Sequence, residues 1–135
     1  MSRIVVIEDD GALRSDLVDR LKEWGHKVSE AGDAKTGTEL VDSWQPDILL
    51  CDVELPIGNG FQIAEWVRER HPNTVIIFIS ALMGSQERLL GSVYGEEYIV
   101  KPSNYAKLAE RIKFHHAQKG GVLARVGKWL TGAAG

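Results

Sequence analysis

Short apolar runs along the chain predict buried β-strands. Residues 4–7 are rich in β-branched side chains, and residues 48–51 form an uninterrupted apolar run. A run of this kind is typical of a strand buried on both faces of a parallel sheet. Residues 75–79 and 98–100 predict two further strands, and the weaker alternation at residues 27–31 predicts a more exposed one. The pattern therefore predicts five strands.

The segments between these runs have apolar residues at helical spacing. Gly25 is a natural stop for the first helix. Asp33 and Asn59 are suited to cap the N-termini of the second and third helices. A last helix follows the fifth strand, with Ser103 or Asn104 as its predicted cap.

Residues 84–95 form the weakest of the helical patterns. Gly91 interrupts their apolar positions at a cost of about 1 kcal/mol relative to alanine. Strands and helices nevertheless alternate along the chain with short connections, which favours an α/β fold with right-handed crossovers. The predicted fold is a doubly wound, flavodoxin-like sheet of five parallel strands in the order 2-1-3-4-5, with helices on both faces.

The composition narrows the class of protein. The 135 residues fit one domain, and hydrophobic and charged contents of 44% and 26% are typical of a globular protein. The net charge of −3 gives no support to nucleic acid as a direct partner. The single cysteine, Cys51, excludes a disulfide framework, and no apolar run approaches the roughly 20 residues of a membrane span. We expect a cytoplasmic protein without membrane contact.

Polar residues follow four of the predicted strands. They are Glu8, Asp9 and Asp10 after the first strand, Asp52 after the third, Ser80 after the fourth and Lys101 after the fifth. In the predicted strand order the first and third strands are neighbours, and the carboxyl ends of all parallel strands open on one edge. We therefore expect these side chains to gather at that edge.

Crowded carboxylates repel one another, and a hard divalent cation relieves the repulsion. Mg²⁺ suits such a site, because it accepts a few carboxylates and keeps water or phosphate oxygens at its other positions. Asp52 could then act as a nucleophile that forms an aspartyl phosphate. Lys101 would offer a positive charge, and Ser80 a hydroxyl donor, to phosphate oxygens. The plainer interpretation is that these residues are a loop cap, a solvated charge and a strand terminator.

Four segments carry these residues and resemble the receiver domain of two-component response regulators, of the CheY-like single-domain type. They are residues 4–10 (IVVIEDD), 46–56 (PDILLCDVELP), 78–81 (FISA) and 98–102 (YIVKP). The resemblance runs from about residue 3 to residue 117. It implies that Asp52 accepts phosphate from a histidine kinase or a histidine phosphotransfer protein and signals to a downstream protein. The domain would catalyse only its own phosphorylation and dephosphorylation.

The resemblance also implies how Mg²⁺ is bound. Asp9 and Asp52 would bind it directly, Glu54 through its backbone carbonyl and Glu8 through a water molecule. Mg²⁺ would be the only cofactor, with no organic group required. Glu8 stands where aspartate is also common in the family.

Other residues of the resemblance concern the phosphoryl group and the switch. Ser80 and Lys101 would hold the phosphoryl oxygens, and Ser80 replaces the threonine that is more frequent in the family. Tyr98 falls at the switch aromatic, while Val53 and Ala81 fall at positions that line the site. The turn before Tyr98 is one residue shorter than usual, which leaves the length of the helix before it open.

The character of the sequence changes after residue 118. The receiver-like domain is predicted at residues 1–118, and residues 119–135 form a glycine-rich hinge followed by a short amphipathic tail. The apolar stripe of the tail, at residues 122–130, could pack on its own domain, on a second copy in a homodimer or on a partner. A frayed linker from a longer protein is the alternative.

Three functional hypotheses are compatible with these patterns. The first is a stand-alone phospho-receiver that acts by protein contact, and the second is the N-terminal regulatory domain of a longer transcription factor or enzyme. The third is a flavodoxin-like nucleotide or flavin enzyme. Such an enzyme needs a phosphate cradle after its first strand, but three acids stand there, from Glu8 to Asp10. The sequence therefore favours a receiver.

Overall fold

A computed structural model of the protein describes residues 2–80, 97–100 and 105–119. The strands are β1 Arg3–Ile7, β2 Lys27–Ala31, β3 Ile48–Asp52, β4 Val75–Ser80 and β5 Glu97–Val100. The helices are α1 Gly11–Glu23, α2 Ala34–Trp44, α3 Gly60–Arg70 and α4 Tyr105–Lys119. None of the helices in these ranges is long and apolar enough to cross a membrane.

The strands pair in parallel in one sheet, which confirms the predicted α/β class. The first four strands lie in the predicted order β2-β1-β3-β4, and β5 pairs with β4 at the far edge. Residue Ile7 of β1 is in register with Cys51 of β3, and Asp52 is in register with Ile79 of β4. The carboxyl ends of β1, β3 and β4 therefore lie level with one another at one edge of the sheet.

Each face of the sheet has its own apolar core, because successive side chains of a strand point to opposite faces. On one face, strand residues such as Ile4, Val6 and Leu50 pack with Leu17 and Leu21 of α1 and with Leu108 and Ile112 of α4. On the other face, residues such as Val5, Leu49 and Cys51 pack with Val41 of α2 and with Ile63 and Val67 of α3. The central strand β3 is buried along its whole length, as its apolar run predicts.

The helix ends follow local sequence signals. The Asp33 side chain accepts from the Thr36 amide, and Asn59 accepts from the Gln62 amide in a capping box, so both predicted N-caps are confirmed. Gly25 ends α1 with φ of +94°. Gln45 ends α2 in the left-handed region, with φ of 48°, which the sequence does not signal.

Several predictions lie outside the described residues. They are the helix at residues 84–95, the caps Ser103 and Asn104, the site residues Ala81 and Lys101, and the tail from residue 120 onward. The backbone of Tyr98 is described as part of β5, but its side chain is not.

Candidate functional site

Three carboxylates from two neighbouring strands converge at the carboxyl edge of the sheet. Glu8 and Asp9 directly follow β1, and Asp52 is the last residue of β3. One carboxylate oxygen from each lies within 4.8 Å of the others. The paired ends of β1 and β3 produce this arrangement, because the residue before Glu8 is in register with the residue before Asp52. The predicted gathering of these acids is therefore observed.

Asp10 does not join this group, although it continues the acidic run. Its Oδ1 accepts hydrogen bonds from the amides of Ala12 and Leu13, at 3.0 and 3.1 Å, and so caps the N-terminus of α1. A carboxylate at this position also interacts favourably with the helix dipole. Of the three acids after β1, Asp10 is therefore the one that stands apart from the carboxylate group, because a cap lies within reach of its side chain.

Two of the three carboxylates are buried, which raises the free-energy cost of keeping them charged. Glu8 is fully buried and Asp52 is 1% exposed, whereas Asp9 is exposed. Burying a charge is costly unless hydrogen bonds or a cation compensate. The Asp10 amide donates to Oε2 of Glu8 at 3.1 Å, and the Glu54 amide donates to Oδ1 of Asp52 at 3.1 Å. A site with only carboxylate oxygens, partly open through Asp9, fits a hard divalent cation such as Mg²⁺.

Cys51 borders the acids but has no reactive character. Burial raises the pKa of its thiol far above the usual value, and the Asp52 and Glu8 carboxylates raise it further. Its Sγ donates to the Asp52 carbonyl at 3.4 Å, and its side chain belongs to the apolar core beneath α2 and α3. The thiol therefore stays protonated and contributes packing rather than a nucleophile.

The loop after Asp52 folds back tightly over the end of β3. The Gly60 amide donates to the Val53 carbonyl at 2.8 Å, and a bridge between Glu54 and Asn59 closes the loop. A Cβ at Gly60 would stand 2.4 Å from the Asp52 carbonyl oxygen, so the first residue of α3 has to be glycine. The close approach holds the backbone of Glu54, whose carbonyl the resemblance assigns to the metal, beside Asp52.

Ser80, one of the two residues predicted to hold the phosphoryl oxygens, is within the described part of the chain. Ser80 is the last residue of β4 and is fully buried, next to the register position of Asp52 with Ile79. It pairs with Val100 of β5, and the next residue in the chain, Lys101, is outside the described residues. The register thus places Ser80 at the same edge of the sheet as the acids, while the roles of Ser80 and Lys101 stay predictions.

The sequence did not indicate one residue of this region, Arg14 of α1. Its Nη1 donates to the Glu8 carbonyl at 2.7 Å, and its Nε donates to Oε1 of Glu30 at 3.2 Å. In the sequence, Arg14 looks like an ordinary charged residue on a helix, because its partner Glu30 is 16 residues away. No local signal would have found this contact.

The sequence of the chain is similar to those of known signalling and regulatory proteins. A family model described as "Response regulator receiver domain" matches residues 4–113. "Sensory transduction protein BceR" of Halalkalibacterium halodurans is 30% identical over 114 residues, which are 84% of this chain and 49% of the relative. "DNA-binding dual master transcriptional regulator RpaA" of a Synechocystis species is 32% identical over 117 residues, with coverage of 84% and 48%.

A solved structure shows the same likeness in three dimensions. The response regulator protein TrrA from Thermotoga maritima, in complex with Mg²⁺-BeF, superimposes with a TM-score of 0.79 at 27% sequence identity. The match covers 85% of this chain and 99% of TrrA.

The relatives are longer than this chain, and one of them is named as a DNA-binding protein. The chain spans about half the length of the curated relatives described above. RpaA is named as a DNA-binding regulator, which conflicts in part with the expectation that nucleic acid is not a direct partner. With the family model covering most of the chain, the chain belongs to the response regulator receiver domain family.

Proposed function

We propose that the chain is a phospho-accepting receiver in which Asp52 is the sole phosphoacceptor. The observation that carries this proposal is the burial of Asp52 at the end of β3, with carboxylate oxygens of Glu8 and Asp9 within 4.8 Å. A carboxylate in that position is held by the Glu54 amide on one oxygen, Oδ1. Asp52 is thus oriented by its own loop before any phosphodonor arrives.

The reaction is a transfer of a phosphoryl group to a carboxylate. One Asp52 oxygen forms a new bond to the phosphorus of a phosphohistidine donor, and the phosphorus–nitrogen bond of the donor breaks. The imidazole nitrogen leaves with the bonding electron pair. Bound Mg²⁺ would neutralise charge on the transferring phosphoryl group.

Four residues of the chain would hold the Mg²⁺ ion. Asp9 and Asp52 would hold Mg²⁺ directly, with the Glu54 carbonyl as a further ligand and Glu8 acting through a water molecule. Glu8 is suited to the indirect role, because its carboxylate is fully buried and Oε2 already accepts from the Asp10 amide. This makes Asp9, the exposed acid, the member best placed to meet an incoming cation.

Ser80 and Lys101 would bind the phosphoryl oxygens of the product. Ser80 offers a hydroxyl at the buried end of β4, and Lys101 offers a compact positive charge after β5. Tyr98, two residues before Val100 on β5, would respond to the movement of Ser80. The phosphodonor is a histidine kinase or histidine phosphotransfer protein, and the output is contact with a downstream protein.

A second candidate is the regulatory domain of a longer transcriptional regulator. The observation that favours it is that the chain spans about half of relatives such as BceR and RpaA. The phosphorylation chemistry is the same in both cases, and only the output differs. The length of the native gene product decides between the two.

The test compares two acids at opposite ends of β3. Incubated with Mg²⁺ and acetyl phosphate, the protein should gain one phosphoryl group, measured by intact mass. Asp52→Asn should gain none. Asp47→Asn is the matched control, because Asp47 precedes β3 and its carboxylate accepts from the Arg3 amide at the other edge of the sheet. A phosphoryl group on the Asp52→Asn protein would refute the proposal.

A further inference from the structure

We propose that Arg14 is a positioning residue for the metal site, which it serves by holding the peptide unit between Glu8 and Asp9. This inference rests on the proposed function, because it assigns Arg14 to the Mg²⁺ site of the receiver. Arg14 lies on the first turns of α1 and belongs to neither the acidic group nor the phosphoacceptor loop.

The guanidinium joins the ends of two strands. Nη1 donates to the Glu8 carbonyl at 2.7 Å, just beyond β1, and Nε donates to Oε1 of Glu30 on β2 at 3.2 Å. The Arg14 side chain is 24% exposed, so the fork lies largely against protein. A planar guanidinium suits this task, since its donors are held in a fixed relative geometry.

The chain leaves room for this group by means of glycine. A Cβ at Gly32, just after β2, would stand 2.9 Å from Nη1 of Arg14. That separation is closer than side chains tolerate, and the flexible end of Arg14 is the part that would have to move. Gly32 has no positive φ in this structure, so its lack of a side chain serves the guanidinium rather than the backbone. The missing side chain at Gly32 therefore leaves the space that the Arg14 guanidinium occupies.

The hydrogen bond to the Glu8 carbonyl determines how Asp9 is presented. The peptide unit from Glu8 to Asp9 is planar, so holding its carbonyl also fixes the orientation of the Asp9 amide and Cα. The Glu8 amide, just after β1, is already held by the carbonyl of Ala31, the last residue of β2, at 3.0 Å. Arg14 holds the other side of the same residue. The backbone of Glu8 is thus anchored to β2 on both sides before a cation binds, and Asp9 follows it directly in the chain.

Two effects of Arg14 on Mg²⁺ have opposite signs, and this makes the proposal testable. A positive charge near the acids disfavours a second cation, so an Arg14 that acted only by charge would weaken Mg²⁺ binding. An Arg14 that positions the acids strengthens it. Removing the side chain therefore raises the Mg²⁺ affinity in the first case and lowers it in the second.

The experiment measures Mg²⁺ affinity by calorimetry with Mg²⁺ alone, on the full chain. Arg14→Ala should lower the affinity by about tenfold, the lower end of the range for groups that orient metal ligands. Gly32→Ala should lower it less, because a Cβ there displaces only the flexible end of Arg14. Arg14→Lys should fall between Arg14→Ala and the parent, because one ammonium cannot reproduce the fork. Arg20→Ala is the matched control on the same helix, since Arg20 pairs with Asp16 and Tyr105 instead. It should bind Mg²⁺ like the parent.

A second readout needs no metal. In the metal-free protein, amide hydrogen exchange at Asp10 should be faster in Arg14→Ala and Gly32→Ala than in Arg20→Ala, because the Asp10 amide donates to Glu8. Unchanged or higher Mg²⁺ affinity in both variants would overturn the proposal, as would an equal loss in Arg20→Ala. Neither readout involves phosphorylation, so a failure of Asp52 as phosphoacceptor would be seen separately.

Discussion

Three consecutive acids after β1 have three different surroundings. Glu8 is fully buried and accepts from the Asp10 amide, Asp9 is exposed beside Asp52, and Asp10 caps α1. Residue type and spacing along the chain do not distinguish them. At this scale the hydrogen-bond partner of each carboxylate decides its chemistry, and substitutions that keep side-chain shape can separate the three roles.

The three acids should differ in their effect on Mg²⁺ binding. Asp9→Asn should lower Mg²⁺ affinity by more than the roughly 10-fold that marks the mildest outer-shell changes, because it replaces a direct ligand. Glu8→Gln should lower it less, since the amide oxygen can still accept from Asp10. Asp10→Asn should leave it unchanged, because asparagine caps a helix about as well as aspartate. Calorimetric titration with Mg²⁺ measures all three.

The ranking of these variants is what matters. A loss in Asp10→Asn as large as that in Asp9→Asn would show that the cap and the metal site are not separate. Equal, unchanged titrations for Asp9→Asn and Glu8→Gln would remove the basis for a metal site at this edge.

At the scale of elements, the helix ends determine where the strands begin. Gly25 follows α1 and Gln45 follows α2, both in the positive-φ region, before β2 and β3 start. Glycine adopts that region without steric cost, whereas a residue with a Cβ is strained there. Both connections thus reverse the chain through a residue with positive φ, and the one at Gln45 is strained because Gln45 has a Cβ.

Substitutions at the two turns should have opposite effects on stability. Gly25→Ala should lower the free energy of unfolding by about 1 kcal/mol, because a Cβ at φ of +94° is strained although nothing lies within 4 Å of it. Gln45→Gly should raise it by up to about 1 kcal/mol, because the strain is relieved and the backbone N–H at position 45 still donates to the Val41 carbonyl. Urea unfolding followed by circular dichroism measures both. Changes of the same sign at the two positions would contradict this explanation.

At the scale of the whole molecule, the sheet connects the site to its far edge. Ser80 at the end of β4 pairs with Val100, and Phe78 pairs with Tyr98 two residues earlier on β5. Phosphate on Asp52 adds negative charge and acceptor oxygens beside Ser80. A movement of Ser80 toward that phosphate would be transmitted to β5 as a shift between two states, and couplings of this kind are about 1–3 kcal/mol.

Ser80→Ala should therefore separate phosphorylation from signalling. The variant should still accept phosphate on Asp52, because the nucleophile and the acids are intact, but it should not transmit the change to Tyr98. NMR shifts on addition of Mg²⁺ and beryllofluoride measure the response in the parent and in the variant. A response of Tyr98 in Ser80→Ala as full as in the parent would rule out coupling through the serine.

Much of this molecule follows from its sequence for a simple reason. Apolar runs such as residues 48–51 can be buried only in the middle of a sheet, and parallel strands bring their carboxyl ends to one edge. The convergence of Glu8, Asp9 and Asp52 is therefore a consequence of strand pattern and order. The caps Asp33 and Asn59 are equally local, because each bonds an amide three residues away.

The tertiary structure alone decided how those acids are held. The contact of Arg14 with the Glu8 carbonyl and Glu30, the space left by Gly32, and the approach of Gly60 to the Asp52 carbonyl all join segments distant in the chain or folded back on themselves. Such contacts depend on where packing against the sheet places each helix, which hydrophobic spacing does not encode to the nearest ångström. The pattern of residues determined which groups meet at the edge, and packing determined how they are oriented there.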